Sequence, residues 1–243
     1  MGLTHATGSR LNPRRRAAKL GSIPAYERGR RVAAAPTAHL QDRYWTVPIG
    51  RALVALVAAV IITFAADHSP QLGLVVFGGF AILSGIIVAV ACFSTLPAGV
   101  LRTLFTISGL VSAILGILAL LLQLGGLGWF LVLVSAWAAL TGFIELYAGL
   151  RARRRHPAAR DWLSMGALTA ILALVFLVIP PDIAQHFTGP DGVARSLTSS
   201  VILVGIFGAY SAILCVYLAI GGFSLKWGTQ KPAEAQQKVE GTA

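Results

Sequence analysis

Apolar residues fall in six long stretches, separated by short segments rich in glycine, proline or charge. The stretches cover about 47–66, 71–91, 100–122, 128–150, 162–181 and 198–222. A helix needs about 20 predominantly apolar residues to cross the hydrocarbon core of a bilayer. The apolar sequence between 100 and 150 divides at Gln123-Leu-Gly-Gly-Leu-Gly128 because clustered glycines favour a turn. The pattern predicts an all-α polytopic membrane protein with six transmembrane helices.

Composition agrees with this prediction. Hydrophobic residues make up 56% of the chain and charged residues 12%, whereas soluble domains have roughly 45–50% and about 25%. So little polar sequence cannot cover a soluble domain of this length. The 2 cysteines also exclude a disulfide-stapled scaffold.

Positive charge divides unequally between the two sides of the predicted spans. Of the 20 Lys and Arg residues, 19 lie before or at the start of span one, at the start of span three, in the loop 151–160 or after span six. These regions share one side of the membrane when the number of spans is even. Basic loops remain in the cytoplasm, so we expect a multi-pass protein of the bacterial plasma membrane with both termini cytoplasmic.

The same distribution predicts three regions along the chain. Residues 1–44 form a basic, flexible cytoplasmic tail without the apolar core of a secretory signal. Residues 45–225 form the transmembrane domain, and residues 226–243 form a second flexible cytoplasmic tail. Because basic segments beside a membrane attract anionic lipid headgroups, we expect the tail and the loop 151–160 to bind the bilayer rather than a nucleic acid.

The spans contain an internal repeat. Each even span has an aromatic residue, three further residues, a hydroxyl residue and then a small residue; the final pairs are Ser84-Gly85, Thr141-Gly142 and Ser211-Ala212. The odd spans align on Gly50, Gly109 and Gly166. Small residues four apart allow close approach of helix backbones in lipid. We therefore expect three helical hairpins around a pseudo-threefold axis, with the even helices packed together through their small residues.

Two further roles follow from the repeat residues. The hydroxyls of Ser84, Thr141 and Ser211 can hydrogen-bond to a carbonyl one turn earlier, or they can serve as packing groups alone. Strips of small residues that remain exposed could also join copies of the chain into a homo-oligomer.

Spans three to five carry a family resemblance. The segments Gly109-Leu-Val-Ser-Ala-Ile-Leu-Gly116 and Ser135-Ala-Trp-Ala-Ala-Leu-Thr-Gly-Phe-Ile-Glu145, followed by an arginine-rich loop, resemble the HdeD-like family. These are small bacterial inner-membrane proteins associated with acid resistance and built from short repeats. The resemblance implies a role in acid or envelope stress tolerance and supplies no catalytic residue.

Glu145 is the acidic residue that lies within a predicted span, and an ionisable group there is by default a functional candidate. It could pair with Arg102 or Arg51, which stand at the cytoplasmic ends of spans three and one, or it could extend to the headgroups. Alternatively, it could be protonated and titrate as part of a proton relay. That alternative corresponds to a small transporter or proton-conducting protein.

The sequence has no motif for the common membrane or soluble enzymes. GxxxxGK[ST], GxSxG, HExxH and the EF-hand loop are absent. We therefore expect a non-enzymatic protein without a metal or other cofactor. A continuous polar path through the bundle would favour transport, whereas a tightly packed, dry centre would favour a structural role.

Overall fold

The computed structural model describes residues 45–96, 98–153, 158–188 and 194–240, all within the compact unit Asp42–Ala243. The helices of this part of the chain are α1 Thr46–Phe64, α2 Pro70–Thr95, α3 Val100–Leu121, α4 Gly126–Ala152, α5 Ala159–Val178 and α6 Ser199–Glu240. Strands β1 Ala184–Thr188 and β2 Ala194–Thr198 precede α6. The basic tail predicted over 1–44 and residues 154–157 of the basic loop lie outside the described residues.

All six helices of the described residues, α1–α6, are long and apolar enough to cross a membrane. This confirms the predicted all-α class and the number of spans. The predicted breaks also occur. Gly126 has φ +76° at the start of α4, a conformation that glycine adopts without steric cost. Helix α5 ends just before Pro180 and Pro181, because proline has no N–H to continue the helix.

Two features differ from the pattern-based prediction. Strands β1 and β2 form an antiparallel hairpin in the loop before α6, with Ala184 opposite Thr198. Helix α6 continues to Glu240, through residues that the sequence pattern assigned to a flexible tail. This extension follows from composition, because Ala, Glu, Gln and Lys dominate residues 231–240 and favour helix even outside a membrane.

The two ends of the bundle differ in which helix ends and loops lie there. At one end, here called the near end, α1 begins and the Lys226 ammonium of α6 lies 4.8 Å from the centre of the Trp45 ring. The opposite, far end carries the α1–α2 loop. There Ser69 caps α2 by accepting a hydrogen bond from the Leu72 N–H, and Pro70 occupies the first helical position.

The helices pack in a different arrangement from the predicted even-to-even contact. The closest pairs are α2 with α3, α4 with α5 and α6 with α1. Gly85 faces the Gly109 carbonyl of α3, and Gly142 faces Gly166 of α5. The even glycines thus meet the odd glycines, because a close approach needs small residues on both helices. In α6, Gly208 packs against Ile62 of α1, whereas Ala212 is exposed.

The even helices meet one another through aromatic side chains. Phe77 and Phe80 of α2, Trp137 of α4, and Phe207 and Tyr210 of α6 are all at most 5% exposed. The Trp137 ring stands edge-on to Phe77 and Phe80, with centroids 5.6 and 5.5 Å apart. Edge-to-face contacts are favoured between aromatic rings. The centre of the bundle is therefore a packed aromatic layer.

Candidate functional site

A buried ion pair lies between this aromatic layer and the near end. The Arg51 Nη2 of α1 donates to the Glu145 Oε1 of α4 at 3.1 Å. The side chains are 14% and 5% exposed, respectively. Arg51 follows the start of α1 by five residues and Glu145 precedes the end of α4 by seven, which places both about 8–10 Å inside the helix ends.

The geometry selects one of the pairings that the sequence left open. Glu145 pairs with Arg51, and this is the one salt bridge among the described residues. Arg102 instead lies 4.3 Å from the centre of the Phe93 ring, a cation–π contact on the neighbouring helix. The predicted alternative of a Glu145 side chain extended to the headgroups is wrong, because the residue is 4% exposed.

The ion pair connects parts of the bundle that are otherwise separate. Helices α1 and α4 are not among the closely packed pairs, so the two long side chains bridge the near end. Arg51 belongs to the α6–α1 pair of helices and Glu145 to the α4–α5 pair. The contact therefore ties two of the three close helix pairs together.

Two polar atoms of the pair have no partner among the described residues: Arg51 Nε and Glu145 Oε2, both buried. An unpaired buried polar atom costs about 1–3 kcal/mol, more when it belongs to a charged group. Small cavities lie on both sides of Arg51, with volumes of about 40 and 30 Å³. A cavity needs roughly 10–15 Å³ to hold a water molecule, so each can hydrate the guanidinium.

The two cavities differ in their other walls. The larger one reaches Asp161 and Tyr217, whose hydroxyl donates to the Asp161 Oδ1 at 3.4 Å. The smaller one reaches Cys92 and Thr95 of α2. Trp162 lines both and is buried, with its ring centre 4.8 Å from that of Phe105. Both cavities lie at the near end and have mostly apolar walls, with Arg51 as the polar side chain that they share.

The repeat hydroxyls behave in two ways. Thr141 donates to the Trp137 carbonyl at 2.7 Å and Ser211 to the Phe207 carbonyl at 2.9 Å, as the sequence predicted. Ser84 is buried without a hydrogen-bond partner among the described residues, which corresponds to the predicted alternative of a packing group alone. These hydroxyls satisfy their own helices and do not form a chain of polar groups across the bundle.

Two hydrogen bonds do run between helices beside the aromatic layer. Trp137 Nε1 donates to the Ser112 Oγ of α3 at 2.9 Å. The hydroxyl oxygens of Thr169 in α5 and Tyr210 in α6 lie 3.0 Å apart, at hydrogen-bond distance, and the Thr169 hydroxyl donates to the Met165 carbonyl. Buried polar groups on aromatic side chains need such partners. The bonds fix the aromatic rings in place.

The chemistry of the site is limited by its residues. Within the described ranges no group of three or more His, Cys, Asp or Glu side chains comes together to hold a metal ion. The larger cavity offers the Arg51 guanidinium, the Asp161 carboxylate and the Tyr217 phenol, which can bind water or another small hydrogen-bonding molecule. The sequence identified Arg51 and Glu145, but gave no signal for Asp161, Trp162 and Tyr217, because their helices contact α1 and α4 only in the folded bundle.

Comparison with known proteins gives a partial family match. Residues 107–178 match a family described as a short repeat of unknown function (DUF308). The matched region ends with α5 and contains Glu145, whereas Arg51 lies outside it. No curated protein and no solved structure matches the chain. The comparisons therefore support a helical, membrane-type repeat protein.

Proposed function

We propose that this chain is a non-enzymatic, non-conducting integral membrane protein that contributes to acid or envelope stress tolerance, as the HdeD-like proteins do. The observation that carries the proposal is the packed aromatic layer of α2, α4 and α6, in which Phe77 and Phe207 are fully buried. A conducting path needs polar groups or water at several depths. Aromatic side chains in edge-to-face contact leave no room for either.

The location proposed for the protein is the bacterial plasma membrane, with both termini in the cytoplasm. Arg151 and Arg160 are exposed at the near end, the end that also carries Lys226 of α6. Basic side chains at one end of a bundle favour the cytoplasmic leaflet and its anionic headgroups. In this orientation the Arg51–Glu145 ion pair lies in the cytoplasmic half of the bundle.

The alternative proposal is a small transporter or proton-conducting protein that uses Glu145. Its support is the unpartnered Glu145 Oε2, together with the hydratable cavities beside Arg51. The cavities place water-sized spaces at the near end beside Arg51, the partner of Glu145. A carboxylate that water reaches from one side alone binds and releases protons without moving them across the membrane. The aromatic layer therefore weighs against conduction.

Survival of acid exposure tests the proposed role in cells. Deletion of the gene should lower survival at acidic external pH, and the wild-type chain should restore it. The variant Arg51→Gln/Glu145→Gln, which removes both charges together, should restore survival as well, because a structural role needs a satisfied pair rather than a titratable group. Unchanged survival after deletion would contradict the stress role. Failure of the folded double variant would instead favour the proton-handling alternative.

A further inference from the structure

A groove between α1 and α2 has the shape of a lipid site. Its volume is about 400 Å³, within the range of roughly 300–1,000 Å³ that ligand pockets occupy. It extends along α1 from Leu53 to Ile61, eight residues or about 12 Å. Its floor includes the buried ring of Phe80, and all the lining residues are apolar.

The groove exists because of how the helices pair. Helix α1 packs closely on α6, and α2 packs closely on α3, so α1 and α2 are adjacent without interlocking. Gly79 lies in the gap, and a Cβ atom built there meets no atom within 4 Å. A side chain at this position would fill the space. Its absence leaves a concave surface that opens toward the surrounding hydrocarbon.

A polar mouth continues the groove at the far end. A shallow cleft of about 280 Å³ shares Leu72 and Val75 with the groove and is otherwise lined by Asp67, Ser69 and Gln71. Asp67 is exposed and makes no ion pair with any described residue. The site thus has an apolar groove for a chain of methylenes and a carboxylate where the headgroup of that chain would lie.

We propose that the groove and its mouth bind one phospholipid whose headgroup carries a primary amine, from the leaflet at the far end. The acyl chain lies against Leu53, Val57 and Gly79, and the ammonium group donates hydrogen bonds to Asp67. The first turn of α2 forms the same mouth, and its partial positive charge favours the lipid phosphate. The complementarity is that of a zwitterionic headgroup and excludes a purely anionic one.

The test is lipid retention by the purified full-length chain, measured by native mass spectrometry with phosphatidylethanolamine, phosphatidylcholine and phosphatidylglycerol of identical acyl chains. Wild type should retain phosphatidylethanolamine about two- to fivefold better than the other two, as expected for one partly exposed ion pair. Asp67→Asn should abolish this preference. Asp182→Asn, which removes another exposed acid from a loop at the same end, should preserve it.

Filling the groove tests the acyl-chain part separately. Gly79→Leu should lower retention of all three lipids, whereas Gly205→Leu, at an equally open glycine of α6, should not. Val57→Phe fills the groove from α1 at a half-exposed position and serves if Gly79→Leu does not fold. Equal retention of the three lipids by wild type would overturn the headgroup assignment. Retention unchanged by both groove-filling variants would overturn the site.

Discussion

Replacing Glu145 alone by Ala should lower the free energy of unfolding by about 3–5 kcal/mol, since removal of one partner leaves the Arg51 charge buried and uncompensated. Arg51→Ala should lower the free energy of unfolding by a similar amount, because it leaves the Glu145 carboxylate buried without its partner. The loss should exceed that of a typical substitution, which is roughly 1 kcal/mol. Unfolding of the purified protein in mixed detergent micelles measures it.

The double variant Arg51→Gln/Glu145→Gln tests whether Arg51 and Glu145 stabilise the fold as a pair or independently of each other. Neutral amides can hydrogen-bond across the same gap, and a neutral replacement of a buried pair is often tolerated. The double variant should therefore be more stable than either single one. Arg102→Gln is the matched control, because Arg102 makes only a cation–π contact, worth about 1 kcal/mol at a partly exposed site. Additive losses in the double variant would contradict the pairing.

Gly85→Ala should separate α2 from α3 and cost about 1–3 kcal/mol, the usual range for overpacking. A Cβ atom at this position would lie 2.5 Å from the Gly109 carbonyl oxygen and 3.0 Å from the Ala113 nitrogen. Both neighbours are backbone atoms, so neither can rotate away. The free energy of unfolding in micelles, and disulfide cross-linking between cysteines introduced on α2 and α3, would report the change.

The control for this substitution is Gly205→Ala, where the added Cβ has open space. It should leave stability and the α2–α3 distance nearly unchanged. A Gly85→Ala variant as stable as Gly205→Ala would show that the α2–α3 contact does not depend on close backbone approach.

The number and positions of the spans could be predicted because they depend on local composition. About twenty apolar residues define a span. Gly126 starts α4 and Pro180 follows the end of α5 because of their own backbone preferences, whatever surrounds them. The hairpin of β1 and β2 was missed because its strands have 5 residues each and lie in a loop with prolines and glycines, which resembles an irregular segment. Ser199 stabilises it by accepting from the Ile183 N–H and donating to the Pro180 carbonyl, contacts that no sequence pattern announces.

Which helices pair could not be deduced from the repeat alone. The sequence marks Gly85 and Gly142 in even spans and Gly109 and Gly166 in odd spans, but a small residue does not indicate its partner helix. The even helices contact one another through large aromatic side chains, whose volume prevents close backbone approach through small residues. The choice of Arg51 over Arg102 for Glu145 follows from the same arrangement, since it depends on which helix end lies across the bundle.

The aromatic layer should prevent conduction, and proton flux into proteoliposomes measures whether it does. With a pH difference and a potential imposed across the membrane, liposomes that contain the wild-type chain should acidify no faster than empty ones, at neutral and at acidic external pH. Glu145→Gln should behave identically. Flux in the wild type that disappears in Glu145→Gln would show that protons pass the aromatic layer and would make Glu145 the site of proton transport.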